Sequence, residues 1–384
     1  MPRLPSHTPS TRVPVIRELS SLRGILMVKF GKSFPIMTSL SESCDMIIVN
    51  TLLVWEDKGN CIIHCMGSSS SGVLYTGGDD NVIKQWCCRT GDLLQTLDKH
   101  SGTVNCLCGL DGGCVSGSED SQIIVWGEAD GSIDCVRRHE AGVRCFAYQE
   151  QHQLFLSGGA DGEIRLWDIS NRRSLLLLTT LYDVMPINSM DVVVKAGTID
   201  QPWQVEVFSG CGSNSDCFEI RCWKGYLSPG IETDDECDDF SLRVLPGHSH
   251  CVLCVVRDPA TGYLMSSSAD RWVRVWDSKL VPLAECDMGM QVTCMVVYKD
   301  ILYTGSSENS LIHCKFACFL LLVCYFESFN LFSARFHHCA VWNSATLAPI
   351  GEFDGHDDAV CSLCIEDGRL FSASLDFKIR EHLL

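Results

Sequence analysis

Short apolar runs separated by clusters of small polar residues recur along most of the 384 residues. The stretches "LYTGGDDNVIKQW" (74–86), "CVSGSEDSQIIVW" (114–126), "LFLSGGADGEIRLW" (154–167) and "LMSSSADRWVRVW" (264–276) share one layout. Each reads as a β-strand, a tight Ser/Gly/Asp turn, then an alternating strand that ends in Trp. Asp80, Asp120, Asp161 and Asp270 lie six places before Trp86, Trp126, Trp167 and Trp276. A further strand precedes them, opening aliphatic–any–Cys: "CIIHCMG" (61–67), "GTVNCLC" (102–108), "AGVRCFA" (141–147), "HCVLCVV" (250–256) and "MQVTCMV" (290–296). No helical period appears. Short strands in units about 40 residues long predict an all-β fold built by radial repetition.

That register decides how the 24 cysteines are read. "CVLC" (251–254) and "CSLC" (361–364) resemble zinc knuckles, but Cys65, Cys106, Cys145, Cys254 and Cys294 occupy one repeated place. Ser189 and Ser362 hold the same place, while Cys251, Cys361 and Cys364 fall outside it. A zinc site needs four converging ligands, and one cysteine per unit does not supply them. The repeated thiols are expected to be free and buried, serving as small side chains near a crowded axis. No metal and no cofactor is expected.

The Trp strands and their turns resemble those of the WD40-repeat family of β-propellers over residues 46–384. His100, His139, His248 and His356 stand four residues before the aliphatic that opens each first strand. The resemblance implies buried tetrads of His, Ser, Asp and Trp. They map onto His100, Ser116, Asp120 and Trp126; onto His139, Ser157, Asp161 and Trp167; and onto His248, Ser266, Asp270 and Trp276. A single His–Ser–Asp set would suggest a hydrolase, but a set that recurs per unit is a blade fastener.

Seven units follow from this register, predicting a seven-bladed propeller over 45–384. The first has Gly59 where histidine belongs. The fourth keeps only "EIRCW" (219–223) and is lengthened. The seventh ends with His382 in the Trp place and lacks an outer strand, which "MIIVNTLLVW" (46–55) is expected to supply so that no edge stays open. In the sixth, Val292 to Trp342 spans 50 residues where blade two needs 22. An insertion at about 315–339, rich in Phe and Cys, accounts for the excess and reads as translated intron sequence that interrupts the Trp strand. Its apolar run is about half a bilayer span. Residues 1–44, basic and rich in Ser and Pro, read as a disordered tail without a secretory h-region.

A net charge of −18 argues against a sequence-independent grip on nucleic acid and against anionic membranes. No Walker loop, dinucleotide fingerprint, GxSxG or HExxH occurs, so an enzyme is not expected. The resemblance implies a protein-binding scaffold: a monomeric propeller within a complex, in the cytosol or nucleus. Its loop face would present Asp79, Glu119, Arg271, Trp272 and Phe377. Trp272 beside Arg271 is either a binding hot spot or a ring lying flat on its own sheet. The loop "SPGIETDDECDDF" (228–240) reads as solvated and acidic. The alternative function is a substrate receptor of a cullin-type ubiquitin ligase, because 264–279 resembles the adaptor-docking box of such receptors, with Lys279 as its basic end.

Overall fold

The structure is a computed structural model that describes residues 47–49, 51–56 and 61–384, except 130, 171–173, 184, 196–201, 213–217, 228–239, 307–336, 346 and 348. Seven sheets follow one another around the ring, each with four antiparallel strands a–b–c–d; blade seven takes its outer strand from the N-terminal segment, and blade six has a fifth strand paired in parallel. Blade two is the template: Val104–Leu110, Gly113–Ser118, Gln122–Gly127 and Ile133–Arg138. The other blades occupy 63–98, 143–182, 187–245, 252–287, 292–356 and 360–383. No α-helix occurs among the described residues; a single 3-10 turn spans Glu150–His152. The propeller predicted from the repeat is the observed fold.

Strand Thr51–Glu56 closes the ring by pairing antiparallel with Lys378–Leu383, placing Thr51 opposite His382 and Trp55 opposite Ile379. The N-terminal segment does more than the sequence pattern suggested. Ile47–Val49 pairs parallel with Pro349–His356, the outer strand of blade six. One apolar run therefore serves two neighbouring blades, since each offered an open edge.

Every strand a carries the same irregularity. The register shifts between the opening aliphatic and the repeated Cys or Ser, at Ile63/Cys65, Val104/Cys106, Val143/Cys145, Ile187/Ser189, Val252/Cys254, Val292/Cys294 and Val360/Ser362. Such a bulge turns both residues against the next blade. The Cys65 thiol lies 3.3 Å from the Val104 carbonyl, and the Cys145 and Cys294 thiols 3.8 Å from those of Ile187 and Val360. Strand b answers with glycine: a Cβ on Gly117 would meet the Cys106 sulfur at 2.7 Å and Val143 at 2.7 Å. The repeated thiols thus fill the seams between neighbouring blades at their inner strands.

The knuckle-like pairs diverge. Cys361 turns to the Ala359 carbonyl at 3.7 Å and Cys364 to the Ser68 hydroxyl at 3.1 Å. Burial pushes Cys254 and Cys364 up to about 11 and Cys361 to about 12, so these thiols stay protonated at neutral pH.

Blade six forms despite its long connection. Its strand c is His337–Asn343, with Leu302 opposite Trp342 and Gly305 opposite Cys339. The strand thus takes in residues 337–339 of the expected insertion, and the extra sequence falls in the b–c turn. This corrects the expectation of an interrupted Trp strand. The rest of that block, the 1–44 tail and nearly all of the 228–240 loop lie outside the described residues.

Candidate interaction face

Among the described residues, the b–c turns and d–a loops open on one face, because alternating strands return there. The turns are tight: the N–H groups of Asn81, Ser121, Gly162, Arg271 and Phe377 close on the carbonyls of Gly78, Ser118, Gly159, Ser268 and Ser374 at 3.0–3.3 Å. Each closing residue has a left-handed φ, between 63° and 81°. Blade three meets this with glycine, which bears it freely. Arg271 (φ 73°) and Phe377 (φ 64°) hold it with bulky side chains, a conformation that is uncommon for them.

The residue before each of these is the repeated Asp, and its carboxylate organises the face from below. Asp120 accepts the N–H of Gln122 (2.9 Å) and of Ser101 (2.8 Å), and meets His100 Nδ1 at 2.9 Å. His100 Nε2 lies 2.7 Å from the Ser116 hydroxyl, which also accepts the Trp126 indole N–H at 2.7 Å. Blade three repeats the set: His139 to Asp161 at 2.9 Å, His139 to Ser157 at 2.8 Å, and Trp167 to Ser157 at 2.9 Å. In blade five, His248 meets Asp270 at 2.9 Å and Ser266 at 2.7 Å, while the Trp276 ring stands edge-on at 6.3 Å. Burial alone would raise these carboxyls, but the imidazole and amide donors outweigh it, leaving Asp161 and Asp270 at about 2.

Blade seven holds a fourth network, with His382 in the Trp place: Asp376 to His356 (2.9 Å), His356 to Ser372 (2.8 Å) and Ser372 to His382 (2.9 Å). The other blades keep fragments. Trp86 donates to Thr76 at 2.8 Å, Trp342 to Thr304 at 3.1 Å and Trp223 to Ser209 at 3.3 Å. In blade four the histidine place holds Asp183, buried in an ion pair with Arg221 and accepting the Cys211 thiol at 3.1 Å. Sequence reasoning missed this pair, although Asp183 stands four residues before Ile187, in the histidine register.

The sequence-predicted binding residues divide between two faces. Asp79, Glu119, Arg271, Trp272 and Phe377 lie in or beside b–c turns. Asp79, Glu119 and Arg271 are exposed, while Trp272 and Phe377 are half-buried. Trp272 opens its strand opposite Asp287 and donates its backbone N–H to Asp270 at 3.0 Å. Lys279 is exposed in the c–d turn at the other end of blade five, so it does not join them. His64 meets Asp79 at 2.6 Å, and Asn105 donates to Glu119 at 3.1 Å and to the Val143 carbonyl at 2.9 Å. These residues, each between the aliphatic and the Cys of strand a, tie the turns to the inner rim. Exposed Asp357 and Asp358 extend the acidic arc from blade seven to blade two, and Phe218 of blade four stacks on His250 of the loop into blade five at 5.4 Å.

The family model for the WD domain, G-beta repeat, matches residues 91–127, 132–168, 240–277 and 347–381. Each match runs from the outer strand of one blade to the end of strand c in the next, and the blades so reached are those with a His–Asp–Ser network. The chain belongs to the WD40-repeat family. It is 26% identical over 231 residues to human WD repeat-containing protein 18, covering 56% of this chain and 50% of that protein. The bovine protein of that name is 26% identical over 294 residues, 68% of this chain and 64% of its own. An uncharacterized WD repeat-containing protein of Schizosaccharomyces pombe is 27% identical over 318 residues, 80% and 74% of the two chains. The chain thus spans about half to two thirds of the length of the mammalian relatives. WD40 propellers are in general protein-interaction scaffolds rather than enzymes, and the buried His–Ser–Asp sets here tie each b–c turn to its own blade. One grouping among the described residues, His139, Asp161 and Glu163, has the spacing of a metal site. His139 is held by Asp161 and Ser157, and Glu163 pairs with Arg165 at 2.6 Å.

Proposed function

We propose that this chain is a non-catalytic scaffold that binds a partner protein on the face formed by its b–c turns and d–a loops. The observation that carries the reading is the pair Arg271 and Phe377. Both occupy a turn position that favours glycine, and both keep a bulky side chain there at a local backbone cost. The exposed carboxylates of Asp79, Glu119, Asp357 and Asp358, set apart from Arg271, give the face two signs of charge with which to orient a partner. On this reading the propeller acts as a single copy within a complex of the cytosol or nucleus. It contacts neither nucleic acid nor membrane.

Glycine suits the turn, so Arg271→Gly and Phe377→Gly remove the side chains while keeping the fold. Cross-linking and affinity capture should recover a partner set with the native chain and lose members of it with the double variant. An unchanged set from a folded double variant would overturn the reading. The ubiquitin-ligase reading rests on Lys279, which is exposed at the opposite end of blade five. Its turn is prebuilt: Asp277 accepts the N–H groups of Lys279 and Val281, both at 2.9 Å. A receptor would dock the adaptor there, leaving the other face for substrate. Capture of the ligase adaptor by the native chain but not by Lys279→Glu would support it, and no adaptor with either would discard it.

A further inference from the structure

Blade seven has a hydrogen-bonded chain whose members can be ordered by their donors. Asp376 is a carboxylate held at about 2: burial raises it, but its hydrogen bonds, above all that from His356, lower it further. His356 Nδ1 therefore donates to it at 2.9 Å, and in a neutral imidazole Nε2 then accepts. The Ser372 O–H fills that acceptor at 2.8 Å, which leaves the Ser372 oxygen to receive Nε2–H of His382 at 2.9 Å. His382 thus does for Ser372 what the Trp126 indole does for Ser116. The difference is chemical: an imidazole takes up a second proton and an indole does not.

His382 is 1% exposed and His356 6%. Strand b faces His382 with the neutral Ser372, while Arg380 on its own strand and His356 across from it both oppose a further positive charge. Glu381 is turned away to Arg369 at 3.0 Å, and Asp376 lies beyond the His356 ring. A proton on His356 Nε2 would meet the Ser372 hydroxyl donor to donor. The strand that carries His382 is also the one on which Thr51–Glu56 closes the ring, with Thr51 directly opposite His382.

We propose that blade seven is an acid-sensitive latch: proton uptake by the His356–Ser372–His382 group loosens its strand and releases the N-terminal strand that closes the ring. Burial lowers both rings, His382 to about 3 against an ordinary 6.5. The open form takes up a proton as pH falls below 6.5, and the closed form refuses it until about 3. Closure is therefore fully stable above 6.5 and weakens progressively below it. Between pH 7.5 and 5.0, His382 alone would raise the opening constant about 30-fold.

Backbone hydrogen exchange of the full chain at pH 7.5 and 5.0, corrected for intrinsic exchange rates, tests this. Protection of 51–56 and 378–383 should fall about 30-fold more than that of 122–127 in blade two, whose network ends in Trp. His382→Trp should abolish the excess and keep protection at pH 7.5. His382→Phe should also abolish it, but with weaker protection at pH 7.5, since Ser372 then lacks its donor. Equal losses in the two blades, or an undiminished drop in His382→Trp, would overturn the latch.

Discussion

The hydroxyl of Ser189 accepts the backbone N–H of Val255 at 3.0 Å, across the seam between blades four and five. Ser362 does the same for Met66 at 3.1 Å across the seam that completes the ring, and the Cys254 thiol receives the N–H of Met295. Strand a is the inner edge of its sheet, so its outward amides have no ladder partner. In these three seams the recurring small residue of strand a supplies one from the blade before. Ser189→Ala should therefore cost about 1 kcal/mol by leaving Val255 unpaired, whereas Ser189→Cys should cost less. Chemical denaturation of the two variants measures the difference, and equal losses would remove the acceptor role.

The same seam holds a carboxylate where the matching residues of blades three and five are Ala147 and Val256. Asp191 accepts the Arg257 N–H at 2.6 Å, but burial raises its carboxyl to about 6. The folded state then holds the proton more firmly than the unfolded chain, so this group's contribution improves as pH falls through 6 towards 4. Asp191→Asn removes the charge and keeps an acceptor. Its stability relative to the native chain should be higher at pH 7.5 than at pH 5.0, by roughly 1–2 kcal/mol. Thermal unfolding at the two pH values reads this directly, and a constant gap would refute it.

Much of this molecule is legible in its chain because its strongest constraints are local. The six-residue step from Asp120 to Trp126 is a turn plus a strand, and the histidine four residues before Val104 folds back onto that same turn. Such spacing survives as pattern. The seam contacts do not, since Ser189 finds Val255 66 residues away and only the assembled ring brings them together. The repeat therefore shows that a small residue recurs in strand a but not which group of the next blade it meets. The binding face is legible only in part: the sequence locates the turns, but the left-handed backbone at Arg271 and Phe377 and the half-burial of Trp272 emerge only from the structure.

Blade four shows how a fastener can be rewired. Asp183 and Arg221 are buried and paired, the Asp183 carboxylate also accepting the Met185 N–H at 3.0 Å. Removing one partner strands the other charge. Arg221→Met should cost about 3–5 kcal/mol, and adding Asp183→Asn should recover a large share, because the unpaired charge rather than the lost attraction dominates. Denaturant titration of the single and double variants checks it; a double variant as unstable as the single would show that the pair is worth its full attraction.

The b–c connection of blade six gives a prediction of opposite sign. Blades one, two, three, five and seven join strands b and c by three residues, at 79–81, 119–121, 160–162, 269–271 and 375–377. In blade six, strand b ends at Ser306 and strand c begins at His337, yet the pairing of Gly305 with Cys339 matches that of Gly117 with Ile123 in blade two. Replacing residues 307–337 by a Ser-Asp-Gly turn should therefore join the strands without changing their register. Loop closure scales with the logarithm of length, so a tenfold shorter connection should stabilise the blade by about 2 kcal/mol. The shortened chain should unfold at a higher temperature and keep the partners of the native one. Loss of folding would show that strand c is not registered as His337–Asn343, and transcript sequence lacking this block would show that the short connection is the natural one.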